Sequence, residues 1–231
     1  MKALTGSLRV GFTLAVLGLA AQPAQAQRLQ GEDLIAALQD GGLVLVMRHA
    51  PASLEAARSG GGGGGGFGFG GGGRRGVGGG APAPEPTEEE LEPESRQLLT
   101  GMRHAVWTFG IHIDAIYSSP VLRARQHAEE IPFVDIMIVD ELGSDAIMTD
   151  DEAVDSGWLD AKLAETPMAG ANSIIVTHSP NIQAALGLQV AQGETLVVRP
   201  GAEPEVIGRV TLRDWSVLAI EHGSEVPPIQ Y

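Results

Sequence analysis

A run of five apolar residues, Leu43-Val44-Leu45-Val46-Met47, stops abruptly at Arg48-His49, and this stretch constrains the fold more than any other. It follows Gly41-Gly42, has the length of a strand, and shows no polar alternation. That pattern belongs to a central strand of a parallel sheet covered on both faces. Such sheets bind their ligands in the crevice beyond the carboxyl ends of the strands, so Arg48 and His49 emerge where chemistry is done.

Two later segments repeat the pattern. Ala115-Ile116-Tyr117-Ser118-Ser119-Pro120 runs into Val121-Leu122-Arg123-Ala124-Arg125-Gln126-His127-Ala128, and Ser173-Ile174-Ile175-Val176-Thr177 runs into His178-Ser179-Pro180-Asn181. As parallel neighbours, the three strands would gather Arg48, His49, Arg123 and His178 at one sheet edge. Two guanidiniums and two imidazoles, with no carboxylate in the motifs themselves, suit an anion. Arg125, two residues beyond Arg123, should point elsewhere on a helix.

The rest of the chain alternates helix and strand. Leu34, Ile35 and Leu38 predict a helix over 30–40 that Gly41-Gly42 ends, and Leu98, Leu99, Met102, Val106 and Phe109 predict an amphipathic one from Glu94 to Gly110. Residues 133–139, 195–199 and 206–211 read as strands, with Pro200-Gly201 turning between the last two. Helices are expected over 158–165, 180–187 and 214–220. The five glutamates between Thr87 and Glu94 fit either a solvated helix start or an extended acidic edge. His104 and His112 read as surface or satisfied structural histidines. The expected architecture is α/β, a three-layer sandwich with a largely parallel central sheet flanked by helices.

The three motifs, in this order, resemble the histidine phosphatase superfamily, also called phosphoglycerate mutase-like. Its strand ends in Arg-His-Gly, here Arg48-His49-Ala50. Its Ser-Pro-x-x-Arg-Ala-x-Gln-Thr-Ala segment is matched by Ser119 to Ala128, with His127 in place of Thr. Its second His follows another apolar strand, here His178. The resemblance covers roughly 40–220. It assigns the phosphoryl-accepting nucleophile to His49, phosphate binding to Arg48 and Arg123, and charge stabilisation on the transferring group to His178. It also implies a carboxylic acid that protonates the leaving alcohol, for which Glu141 comes first and Glu194 is the rival. His127 would be a third imidazole, there to bind phosphate or to cap its helix.

The chemistry fits the residues. Arg forks hold phosphate oxygens bidentately, and a neutral imidazole can attack phosphorus to form a covalent phosphohistidine that water then hydrolyses. No metal or other cofactor is called for, and metal-ligand spacing such as His-Glu-x-x-His is missing from the sequence. The expected function is an exported phosphatase acting on small phosphate monoesters. The alternative is a non-catalytic anion-binding protein of the same fold. A Ser-His hydrolase built on Ser118 or Ser119 lacks the Gly-x-Ser-x-Gly elbow.

Export is read from residues 1–26, where Lys2 and Arg9 precede the apolar stretch Val10–Ala21 and Ala24-Gln25-Ala26 offers a cleavage site. The stretch falls short of the roughly 20 residues that span a bilayer, so no stable membrane anchor is expected after cleavage. With no cysteine, the chain has neither disulfides nor a lipidated cysteine. Cleavage removes Lys2 and Arg9 and leaves 13 Lys and Arg against 29 Asp and Glu, a formal net charge of −16. That excess disfavours nucleic acid and anionic lipid as partners. Residues 27–231 are expected to form one phosphatase-like domain. It is interrupted over 59–80 by a glycine-rich, low-complexity loop, in which Arg74 and Arg75 are within reach of a bound anion only if the loop acts as a lid.

Overall fold

Leu34, Ile35 and Leu38 share the buried face of α1 (Gly31–Asp40), and Glu32 and Asp33 occupy its first turn, where carboxylates meet the positive end of the helix dipole. The helix ends at Gly41, whose φ of 76° suits glycine and whose absent Cβ would lie 2.5 Å from the backbone nitrogen of Ala171. The chain then enters β1 (Val44–Arg48). This is a computed structural model, and it describes residues 28–53, 89–131, 133–143 and 156–222. The expected signal peptide and the glycine-rich tract lie outside the described residues.

After β1 come a two-residue strand β2 (Ala52–Ser53), its antiparallel partner β3 (Glu90–Leu91), and α2 (Pro93–Thr108). Then follow β4 (Ile113–Ser118), α3 (Leu122–Glu129), β5 (Ile136–Ile138), a 3-10 turn (Asp140–Leu142) and α4 (Gly157–Ala164). The chain continues with β6 (Asn172–Thr177), α5 (Ser179–Leu186), β7 (Thr195–Arg199), β8 (Glu205–Val210) and α6 (Leu212–His222). Six strands form one sheet in the order β5-β4-β6-β1-β7-β8. The first four in that order run parallel, β7 is antiparallel to β1, and β8 is antiparallel to β7. Among the described residues, no helix is long and apolar enough to cross a membrane.

The sheet is covered on both faces, which explains why β1 is apolar throughout. Leu45 and Met47 join a core with Leu34 and Leu38 of α1, Leu99 and Met102 of α2, Ala124 and Ala128 of α3, and Trp215 of α6. Val44 and Val46 join the opposite core with Leu159 and Leu163 of α4 and Ile182 of α5. This is the expected three-layer sandwich.

One segment departs from expectation, and another takes one of the two forms open to it. The strand read over 133–139 shrinks to Ile136–Ile138, an edge strand paired only with β4, on which Met137 and Ile138 stay 43% and 48% exposed. Phe133 leaves the strand direction and packs half-buried against the core, its N–H bonded to the carbonyl of Ile131. The acidic segment before α2 takes the extended form, and the helix starts at Pro93, where a missing N–H costs nothing.

Candidate active site

Strand register brings the motifs together. Arg48 pairs with Thr177 at the ends of β1 and β6, and Ser118 pairs with Val176 at the end of β4. The next residues, His49, His178 and Ser119, therefore meet at the carboxyl edge. Backbone bonds of 3.1 Å from His49 N–H to Thr177 C=O and 3.0 Å from Ser119 N–H to Val176 C=O carry the pairing one step further. The His49 and His178 rings lie 5.2 Å apart between centroids. Gly193, at a φ of 76°, donates its N–H to the carbonyls of both Arg48 and His49 and clamps the strand end.

His49 is held on both ring nitrogens. Nδ1 lies 2.8 Å from the carbonyl of Ala50, and Arg123 Nε donates to Nε2 at 3.1 Å. A carbonyl only accepts and a guanidinium only donates, so the proton sits on Nδ1 and the lone pair on Nε2. Burial, opposed by the Ala50 bond and reinforced by the charges of Arg123 and Arg48, pushes His49 down to about 4. At neutral pH the imidazole is uncharged, with its lone pair on the nitrogen that faces the guanidinium.

His178, at the start of α5, is tied at Nε2 to Ser119 Oγ over 2.9 Å. The same hydroxyl accepts the N–H of Val121 at 3.2 Å, which keeps it in place beside the ring. Nδ1 is buried with no partner. Burial, then the nearby His49, Arg123 and Arg48, lower His178 to about 3. Arg48 donates from Nη1 to the carbonyl of Val190 at 2.9 Å, while its buried Nε has no partner. Burial and the charge of Arg123 lower its pKa, although a guanidinium remains charged. At one sheet edge, Arg48 Nε is thus a buried donor left for an acceptor such as an oxyanion, and His178 Nδ1 is a buried ring nitrogen with no partner.

The acids are arranged differently from the sequence reading. Both oxygens of Glu194 are engaged: Arg209 holds them at 2.6 and 2.9 Å, and the N–H of Ala191 donates to one at 2.8 Å. Burial favours its neutral form, but these bonds and the charges of Arg209 and Arg28 prevail and hold it below the usual carboxylate range. Glu194 is therefore poorly suited to deliver a proton. Glu141 lies exposed in the 3-10 turn after β5, at the same carboxyl edge as the basic cluster. Asn181 pins that turn by donating to the carbonyl of Leu142 at 3.0 Å. The sequence reading missed Glu89, whose carboxylate lies 3.5 Å from Nη1 of Arg123.

His127 neither caps its helix nor faces the crevice. It is fully buried, and its Nδ1 accepts the N–H of Ala50 at 3.0 Å. Arg125 is exposed, as its helical position requires. His104 and His112 are exposed too.

The six-stranded sheet in this order has the fold of a histidine phosphatase of known structure. The protein histidine phosphatase SixA, solved in complex with tungstate, aligns over 74% of this chain and 98% of its own, at 14% identity and a TM-score of 0.50. Phosphoserine phosphatase from Entamoeba histolytica, solved with 3-phosphoglyceric acid, aligns over 73% and 96% at 13% identity, with a TM-score of 0.44. No protein-family model matches the sequence, and no curated protein does either.

Proposed function

We propose that the protein is an exported phosphatase that hydrolyses small phosphate monoesters through a phosphohistidine on His49. One observation carries this reading: a buried, neutral imidazole keeps its lone pair on Nε2, directed at a guanidinium, with a second imidazole and a second guanidinium beside it.

In the resting protein Arg123 occupies that lone pair. An arriving phosphoryl group offers Arg123 anionic oxygens, which make stronger, charge-assisted bonds than an imidazole nitrogen, so binding frees the nucleophile. Arg48 Nε and His178, in its tautomer protonated at Nδ1, supply further donors to the equatorial oxygens and stabilise charge in the transition state. Nε2 of His49 then forms a bond to phosphorus as the ester P–O bond breaks, and the leaving oxygen takes a proton from a carboxylic acid. Glu89 or Glu141 is that acid. Water next attacks phosphorus and gives a proton back to that carboxylate, the P–N bond breaks, phosphate departs, and His49 regains its lone pair. No metal or other cofactor enters the scheme. Export, as read from residues 1–26, places this chemistry in the periplasm or outside the cell.

The test is hydrolysis of p-nitrophenyl phosphate by the protein beginning at Gln27, beside His49→Ala, with a metal chelator present. Turnover that survives the chelator and disappears in the variant supports the reading. Equal turnover in both proteins overturns it, as does phosphate binding without any turnover, which favours the anion-binding role.

A further inference from the structure

One imidazole near the crevice has no part in this scheme. His127 lies in the last turn of α3 and is completely buried. Burial first, and then the neighbouring His49, lower it to about 3, so it is neutral and able to accept a hydrogen bond at Nδ1. The donor at that nitrogen is the N–H of Ala50, at 3.0 Å. The carbonyl of the same residue accepts Nδ1 of His49 at 2.8 Å. Ala50 is thus held on its amide side by His127, and it holds the nucleophile on its carbonyl side.

This arrangement has a cost. With Nδ1 accepting, the ring proton sits on Nε2, which is buried without a partner. An unpartnered buried N–H destabilises a fold, and a hydrocarbon side chain would fill the same core volume without it. Packing alone gives no reason for a histidine here. Orienting Ala50 does.

We propose that His127 is a positioning residue: by fixing Ala50 it sets the tautomer of His49 and the direction of its Nε2 lone pair. The kinetic part of this inference rests on the phosphatase reading, whereas the tautomer part does not. Substituting His127→Leu keeps the bulk and removes the acceptor, and His127→Asn restores an acceptor oxygen near the position of Nδ1. With p-nitrophenyl phosphate, His127→Leu should lower kcat by about 10- to 100-fold while KM and the affinity for inorganic phosphate change little, since a small misplacement of a reacting atom acts mainly on the chemical step. His127→Asn should recover most of the loss. The nitrogen-15 NMR spectrum of His49 should show a protonated Nδ1 and a bare Nε2 in the unaltered protein, and a mixture of tautomers in the Leu variant.

A folded His127→Leu protein with unchanged kcat and an unchanged His49 spectrum would overturn the proposal. Should that variant fail to fold, His127→Met makes the same test with a more adaptable apolar side chain. If the unaltered protein hydrolyses no phosphate ester, the phosphatase reading falls. The His49 spectrum still decides the positioning role in that case, because it needs no turnover.

Discussion

Arg123 is the hinge of the site at the residue scale. Its Nε masks the His49 lone pair, and its Nη1 lies beside Glu89, so one side chain touches the proposed nucleophile and a candidate acid together. Burial and two guanidiniums hold His49 near 4, against an ordinary 6.5. The acid limb of kcat/KM, once corrected for the ionisation of the substrate, should therefore fall near pH 4, and a limb near 6.5 would contradict the geometry. Stability follows with the same sign. Between pH 6.5 and about 3 the unfolded chain takes up protons on His49, His127 and His178 that the native protein refuses, so the folding free energy should decline as pH falls through that window. The acids separate by leaving group. Replacing the true donor with Gln should slow an alkyl phosphate about 100-fold or more and an aryl phosphate far less, because a phenolate departs without much protonation. Measuring both esters with Glu89→Gln and Glu141→Gln identifies the acid. The basic residues were legible in the sequence because each ends an apolar run. Glu89 was not, because it stands beside Arg123 only once β3 docks on α3, where the N–H of Leu91 donates to Gln126 Oε1 at 2.9 Å.

Elements are held in register by a few buried polar side chains. Asn172 opens β6 and accepts the N–H of Leu43 at 3.2 Å, while its amide donates to the carbonyls of Leu38 and His112 at 2.8 and 3.2 Å. One side chain thus joins α1, the entry to β1 and the entry to β4. Asn172→Ala would orphan the N–H of Leu43 and the carbonyl of Leu38, and urea unfolding should show a loss of about 2–4 kcal/mol. A loss within experimental error would mean that the register is set elsewhere. Gly193 ties elements through its backbone instead, and its positive φ and bifurcated N–H could not be read from a lone glycine among many. Helices were legible from their apolar spacing, as in α2, where Leu99, Met102, Ala105 and Val106 are buried. The β5 strand was overextended because Phe133 and Val134 have strand-like character, yet a single neighbouring strand supports only Ile136–Ile138.

Across the whole molecule, the sheet does the assembling. Four parallel strands deliver their carboxyl ends to one edge, and the chain places a basic or acidic group at each: Arg48-His49 after β1, Arg123 after β4, Glu141 after β5 and His178 after β6. In an overall acidic chain, the two guanidiniums of Arg48 and Arg123 meet there, which fits a small anionic substrate held by local contacts rather than long-range attraction. The parallel architecture was legible because uninterrupted apolar strands must be covered twice. The antiparallel attachment of β7 to β1 was not, since strand order is not written in local pattern. The central claim is that His49 carries the phosphoryl group. The most direct test is to mix the protein with an aryl phosphate for a single turnover, quench in base, which preserves the phosphorus–nitrogen bond, and map the modified residue by fragmentation mass spectrometry. The phosphoryl group should be found on His49 and be absent from His49→Ala. Turnover with the label on another residue, or hydrolysis that His49→Ala retains in full, would contradict the account.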